Sequence, residues 1–120
     1  MSLEPCPSSP NCICSQSDAS DEQHYMAPLA YAGPTDQAIA AIAEVIGAAS
    51  GASVTSTSVD RVDAVFVTRI FRFKDDVSFL VDESEQKIHF RSASRVGHSD
   101  LGANRKRLDA LIPQIKAKLA

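Results

Sequence analysis

Residues 53 to 93 hold four strand-length runs of β-branched and aromatic residues, separated only by the short breaks "DR", "KDD" and "ESEQ". This spacing constrains the fold more than anything else in the chain. A parallel crossover needs a dozen or more residues, so connections this short make sequential neighbours antiparallel. The runs at about 53–59, 61–71, 77–83 and 87–93 therefore read as a four-stranded meander.

A helical pattern lies on each side. In "GPTDQAIAAIAEVIGAASG", Ile39, Ile42, Ile46 and Ala49 fall at helical spacing. Thr35 or Asp36 is the expected cap and Gly51 the expected stop. Residues 100 to 119 form a second helical pattern, with Leu101, Leu108, Ile112, Ile115 and Leu119 on one side. Pro113 is expected to kink it, because the ring displaces a preceding carbonyl and removes a donor. Residues 1 to 34 are rich in Pro, Ser, Asp and Asn and have no period, so they read as an extended arm. "HYMAPLAY" within that arm is apolar enough to pack on the rest. The expected architecture is α+β: an arm at 1–34 and a single domain at 35–120, with two helices on one face of an antiparallel meander.

With hairpin turns near residues 74 and 85, alternation puts Val62, Ala64, Phe66, Ile70, Leu80, Ile88 and Phe90 on the face that takes the helices. Val65, Val67, Phe71, Val77, Phe79 and Val81 fall on the other face, with Arg69, His89 and Arg91 among them. That second face is too apolar to lie bare. Either the arm covers it or a second copy does, as a homodimer. A slip of one residue would exchange the faces.

Charge is unevenly spread. The chain has 120 residues and a formal net charge of -3, yet residues 1 to 50 contain six acids and no Lys or Arg. Residues 91 to 120 contain seven basic residues against Asp100 and Asp109. The acidic total, with no Trp and only seven Phe and Tyr, argues against nucleic acid as a partner. No run approaches the roughly 18 apolar residues of a membrane span. "MSLEPCPSSPN" has no basic or apolar signal region, so the chain as written reads as cytoplasmic; removal of a targeting segment would make an envelope or periplasmic location open to it.

The meander brings separate motifs to one rim. The turn bearing Arg72, Lys74, Asp75 and Asp76 should lie beside the end of the last strand, with Arg91, Ser92, Ser94, Arg95 and the loop into the final helix. Arg91, Arg95 and Arg105 offer guanidinium forks suited to carboxylate or phosphate. Ser92, Ser94 and Ser99 offer hydroxyls, and Gly97 and Gly102 allow a tight backbone path into a helix N-terminus. A small anion or an acidic partner segment fits that chemistry. Internal neutralisation by Asp75, Asp76 and Asp100, with Asn104 tying down the loop, fits it equally. The candidate ligand set is Arg72, Asp75, Asp76, Arg91, Ser92, Ser94, Arg95, Gly97, Asp100, Asn104 and Arg105. Adjacent carboxylates diverge on a strand, which weakens an acid–base pair at Asp75 and Asp76. "GHSD" lacks a nucleophile elbow, and there is no phosphate loop or dinucleotide fingerprint. His89 reads as a packing residue and His98 as a loop group. No cofactor is called for.

Cys6, Cys12 and Cys14 crowd into "PCPSSPNCICS". A Cys6–Cys12 disulfide, free thiols, and a soft-metal site with His24 are all open on spacing alone. The C-x5-C-x-C spacing matches no common zinc pattern, so no metal is expected. An enzyme using Cys6 and Cys12 is the remaining catalytic possibility.

"CPSSPNCICS", "HYMAPLAY", "RIFRFKDDVSFLVDE" and "IHFRSASRVGHSDLGANRKR" together resemble the bacterial and plastid domain-of-unknown-function family 1499 over nearly the whole chain. The matching positions are Cys6, Pro10, Asn11, Cys12, Arg72, Asp75, Asp76, Arg91, Ser92, Ser94, Arg95, Gly97, Asp100, Asn104 and Arg105. Cys14 stands where serine is expected, and His98 where tyrosine is expected. The resemblance implies no assigned activity. It implies envelope or plastid relatives, and with them a Cys6–Cys12 disulfide.

Overall fold

The computed structural model describes residues 2–69, 72–96 and 102–120. Its elements are β1 (Cys12–Cys14), β2 (Leu29–Ala30), α1 (Thr35–Ala48), β3 (Ala52–Thr57), β4 (Arg61–Val67), β5 (Lys74–Asp82), β6 (Lys87–Ser94) and α2 (Ala103–Leu119). The antiparallel sheet has the order β1-β6-β5-β4-β3, and β2 also pairs with β6.

The meander β3 to β6 is present, but the sheet has six strands rather than the expected four. The two additional strands come from the arm. Cys12 to Cys14 pair with Arg91 to Ala93, and Leu29 and Ala30 pair with Ile88 and Lys87. The physical reason is the otherwise open edge of β6, whose backbone donors and acceptors need partners. The start of the arm lies over the second face, where Leu3 and Cys6 pack with Cys14 and Leu80.

The register differs from expectation in one strand. Val67 pairs with Lys74, so the β4–β5 connection lies between these two residues rather than centring on 74. β5 therefore begins at Lys74, and "KDD" opens a strand instead of breaking one. The odd shift inverts β5: Val77, Phe79 and Val81 face the helices, and Leu80 lies on the other face. β4 and β6 keep the expected faces, with Val62, Ala64, Phe66, Ile88 and Phe90 in the main core. Ile70, Phe71 and Leu101 lie outside the described residues.

α1 packs on β3, β4 and β5, while α2 packs on β6, β1 and α1. Both bury one stripe in a single core, through Ile39, Ile42, Val45 and Ile46 of α1 and Leu108, Leu111 and Ile115 of α2. Thr35 does not cap α1. Pro34 holds the cap position and Thr35 Oγ1 is buried without a partner, while Asp36 accepts the Gln37 N–H at 2.9 Å. Gly51 follows the helix end in the left-handed region, φ 75°, and a Cβ there would lie 2.7 Å from the Val67 carbonyl oxygen. Glycine is needed at that position for both reasons. α2 begins at Ala103 after Gly102 and runs through Pro113 to Leu119.

Candidate functional site

At one end of the sheet β3 and β5 begin and β4 and β6 end. Pairing sets Asp75 opposite Ser94, Asp76 opposite Ala93 and Val77 opposite Ser92. The two sequence segments meet here as the meander requires. Pleating then divides them, because successive side chains leave opposite faces.

On the helix face a polar network is sealed into the apolar core. Asp75, Ser92 and Asn104 are 1%, 0% and 0% exposed. Arg107 reaches down from α2 and donates from Nη2 to Asp75 Oδ2 at 2.6 Å. Its Nη1 donates to Asn104 Oδ1 at 2.7 Å and to Ser92 Oγ at 3.1 Å. The Ser92 hydroxyl donates to Asn104 Oδ1 at 2.6 Å. Asn104 Nδ2 donates to the Asn11 carbonyl and to Ser94 Oγ, each at 3.0 Å. The guanidinium also sits 4.9 Å above the centre of the Phe66 ring, a cation–π contact. Asp75 Oδ1 is buried without a hydrogen bond. The network joins the arm, β5, β6 and α2 at one point.

Arg107 is absent from the candidate set read from sequence, although the sequence carries the signal for it. Asn104 and Arg107 are three apart and share the stripe of Leu108, Leu111 and Ile115, so both must face the sheet. Arg105, which was singled out, points elsewhere: its Nη2 donates to the carbonyls of Glu22 and Tyr25 at 3.2 and 3.3 Å and ties the arm to α2.

On the opposite face Arg95 clasps Asp76 with two bonds, Nε to Oδ2 at 2.9 Å and Nη2 to Oδ1 at 2.8 Å. Both side chains are about half exposed. The Arg95 fork holds the Asp76 carboxyl below the usual carboxylate range. Arg91 lies on that face too, opposite Ser78 and Cys14, with its Nε buried and without a hydrogen bond.

Arg72 stands apart from both groups. It sits in the β4–β5 turn in the left-handed region, φ 55°. With Arg69 it lines a cleft of about 470 Å³ walled by Ser50, Gly51, Ala52, Ser53, Val67 and Thr68. Neither arginine forms a hydrogen bond or an ion pair among the described residues. Arg69 too is absent from the candidate set, because its position in a strand pattern hides that it lies beyond the end of β4. Gly97, His98, Ser99 and Asp100 lie outside the described residues.

Cys6 and Cys12 are joined by a disulfide, and Cys14 is free and buried. The bond removes two of the three thiolates that a metal site with His24 would have used. His24 instead bonds the Ser9 carbonyl through Nε2 at 2.8 Å and Asp21 through Nδ1 at 2.7 Å. These contacts, with the Ser9 carbonyl leading, raise its pKa above the ordinary value. His89 is a packing residue as expected, with Nδ1 3.0 Å from the Ser15 hydroxyl. Ser15 is 4% exposed and also accepts the Phe90 N–H, so this pair is structural and does not present a nucleophile. Asp82, Glu85 and His89 bring ligand atoms within 4.8 Å of one another, the one such grouping among the described residues. Surface acids gather this way without a metal, and no cofactor is assigned to them. No helix is long and apolar enough to cross a membrane, among the described residues.

A family model described as "Protein of unknown function (DUF1499)" matches residues 2–115, nearly the whole chain. Among curated proteins none matches.

Proposed function

The chain belongs to the DUF1499 family, whose description carries no activity, and from the site geometry we propose that it is a non-enzymatic binding module for a small anion or an acidic segment. The ligand is received at the strand-end rim, where Arg69 and Arg72 line the cleft beside β3. The observation that carries this reading is two guanidinium groups on one cleft with no acid to neutralise them among the described residues. Solvated arginines are common, but two lining one concavity together with Ser50, Ser53 and Thr68 bring the residue types that carboxylate and phosphate recognition requires.

The rest of the basic cluster supports the site without being the receiver. Arg107 is neutralised by Asp75 and Arg95 by Asp76, and Arg105 is held by arm carbonyls. These pairings favour a second reading, in which the cluster serves only to hold the arm and both helices together. Calorimetric titration with phosphate and with citrate separates the two. The binding reading expects saturable heat that weakens as salt rises, since the attraction is screened. Absence of heat with either anion, at concentrations up to tens of millimolar, would leave the structural reading in possession.

A further inference from the structure

The sheet treats its two edges differently. Beyond β1 the arm closes the edge: the Cys14 N–H donates to the His24 carbonyl at 2.8 Å, and Cys14 bridges Tyr25 in parallel. Beyond β3 no strand pairs, among the described residues. Exposed edges normally carry charge or proline to repel further strands. Residues 52 to 59, "ASVTSTSV", carry neither. Val54 and Val59 are 39% and 87% exposed.

The geometry of β3 narrows where a strand could add. The Val67 N–H donates to the Gly51 carbonyl at 2.9 Å, and Ser53 pairs with Val65. Antiparallel alternation then turns the Val54 N–H and carbonyl away from β4, together with the Ala52 carbonyl. A bulge between Val54 and Ser56 ends the regular stretch. The usable edge is therefore the first half of β3, and Gly51, Ala52 and Ser53 there form a wall of the Arg69–Arg72 cleft. Free backbone groups and two unneutralised arginines therefore border the same cleft.

We propose that β3 takes an extended acidic segment of a partner protein as an added strand, with a carboxylate of that segment received by Arg69 and Arg72. Backbone pairing supplies affinity and the arginines supply selection, as in other strand-addition complexes. An uncharged edge beside a positive cleft is complementary to an acidic strand, and the acidic residues need not face like charge along β3. This rests on the anion-site reading and names its ligand.

The test uses a fluorescein-labelled peptide of alternating glutamate and valine, read by polarisation, beside calorimetry with phosphate. The wild-type chain should bind the peptide, and Arg69→Gln/Arg72→Gln should lose both peptide and phosphate. Val54→Pro removes an outward N–H at a position where an edge strand tolerates proline. It should weaken the peptide about tenfold while leaving phosphate unchanged. The same peptide N-methylated at alternate amides should weaken about tenfold against wild-type protein, which keeps the test open should Val54→Pro fail to fold. Equal binding of the methylated peptide, or no peptide binding where phosphate binds, overturns strand addition and spares the anion site. No phosphate binding by the wild-type chain, or phosphate binding retained by Arg69→Gln/Arg72→Gln, overturns the underlying site, whatever the peptide does.

Discussion

Two arginine–carboxylate pairs, Arg107–Asp75 and Arg95–Asp76, show how burial decides what a charge pair is worth. The Arg107–Asp75 pair has side chains 12% and 1% exposed, with Ser92 and Asn104 filling further valences. Removing Arg107 leaves a buried carboxylate whose Oδ1 already lacks a partner. Arg107→Ala should therefore cost about 3–5 kcal/mol, read by chemical denaturation. Arg95 and Asp76 are half exposed, and screening reduces their mutual attraction. Arg95→Ala should leave the denaturation midpoint almost unmoved. Equal effects of the two substitutions would mean that the helix-face network does not organise the core. The residue types of this cluster were legible in the sequence; their partners were not. Pairing Asp75 with Arg107 requires knowing the face of β5 and the face of α2 together, and the sequence assignment inverted the first.

At the scale of elements, the arm is the informative one. Its polar, aperiodic composition hid β1 and β2, because a strand of two or three residues has no period to detect. What it does have is a set of pins: the disulfide, the pairing with β6, His24 and the Arg105 bonds. The Cys6–Cys12 bond closes a loop with sequence separation 6. Cys6→Ser/Cys12→Ser should lower stability by about 2 kcal/mol, mainly by freeing the unfolded chain. Thiol titration of the oxidised protein should find no reactive thiol when native and one after denaturation, since Cys14 is 1% exposed. His24 makes arm docking depend on pH. Its pKa is raised above 6.5, by the Ser9 carbonyl first and Asp21 second, so its contribution is full below about pH 6.5 and is lost as pH rises through the raised value. Asp21 is lowered from 3.8 by the same contact, so its contribution is present above that value and is lost as pH falls through the lowered one. Melts of wild type and His24→Gln should differ most between about pH 4 and 6.5 and converge near about pH 9. A gap that widens with rising pH would contradict these assignments.

Across the whole molecule, the meander and both helices follow from short connections and helical spacing, and these were readable from residues 35 to 119. The hairpin turn was not, because Arg69 and the residues after it continue a strand-like pattern into the β4–β5 connection. That misplaced turn is also what hid the cleft, since Arg69 and Arg72 face it only once β4 stops at Val67. The decisive property of the molecule is whether those two side chains hold an anion. Thermal melts with citrate at about ten times its dissociation constant should raise the wild-type midpoint by roughly 5 °C, equivalent to about 1.4 kcal/mol. The same melts of Arg69→Gln/Arg72→Gln should show no rise, with an unchanged midpoint in the absence of citrate. An equal rise in both proteins, or none in either, would contradict the anion site.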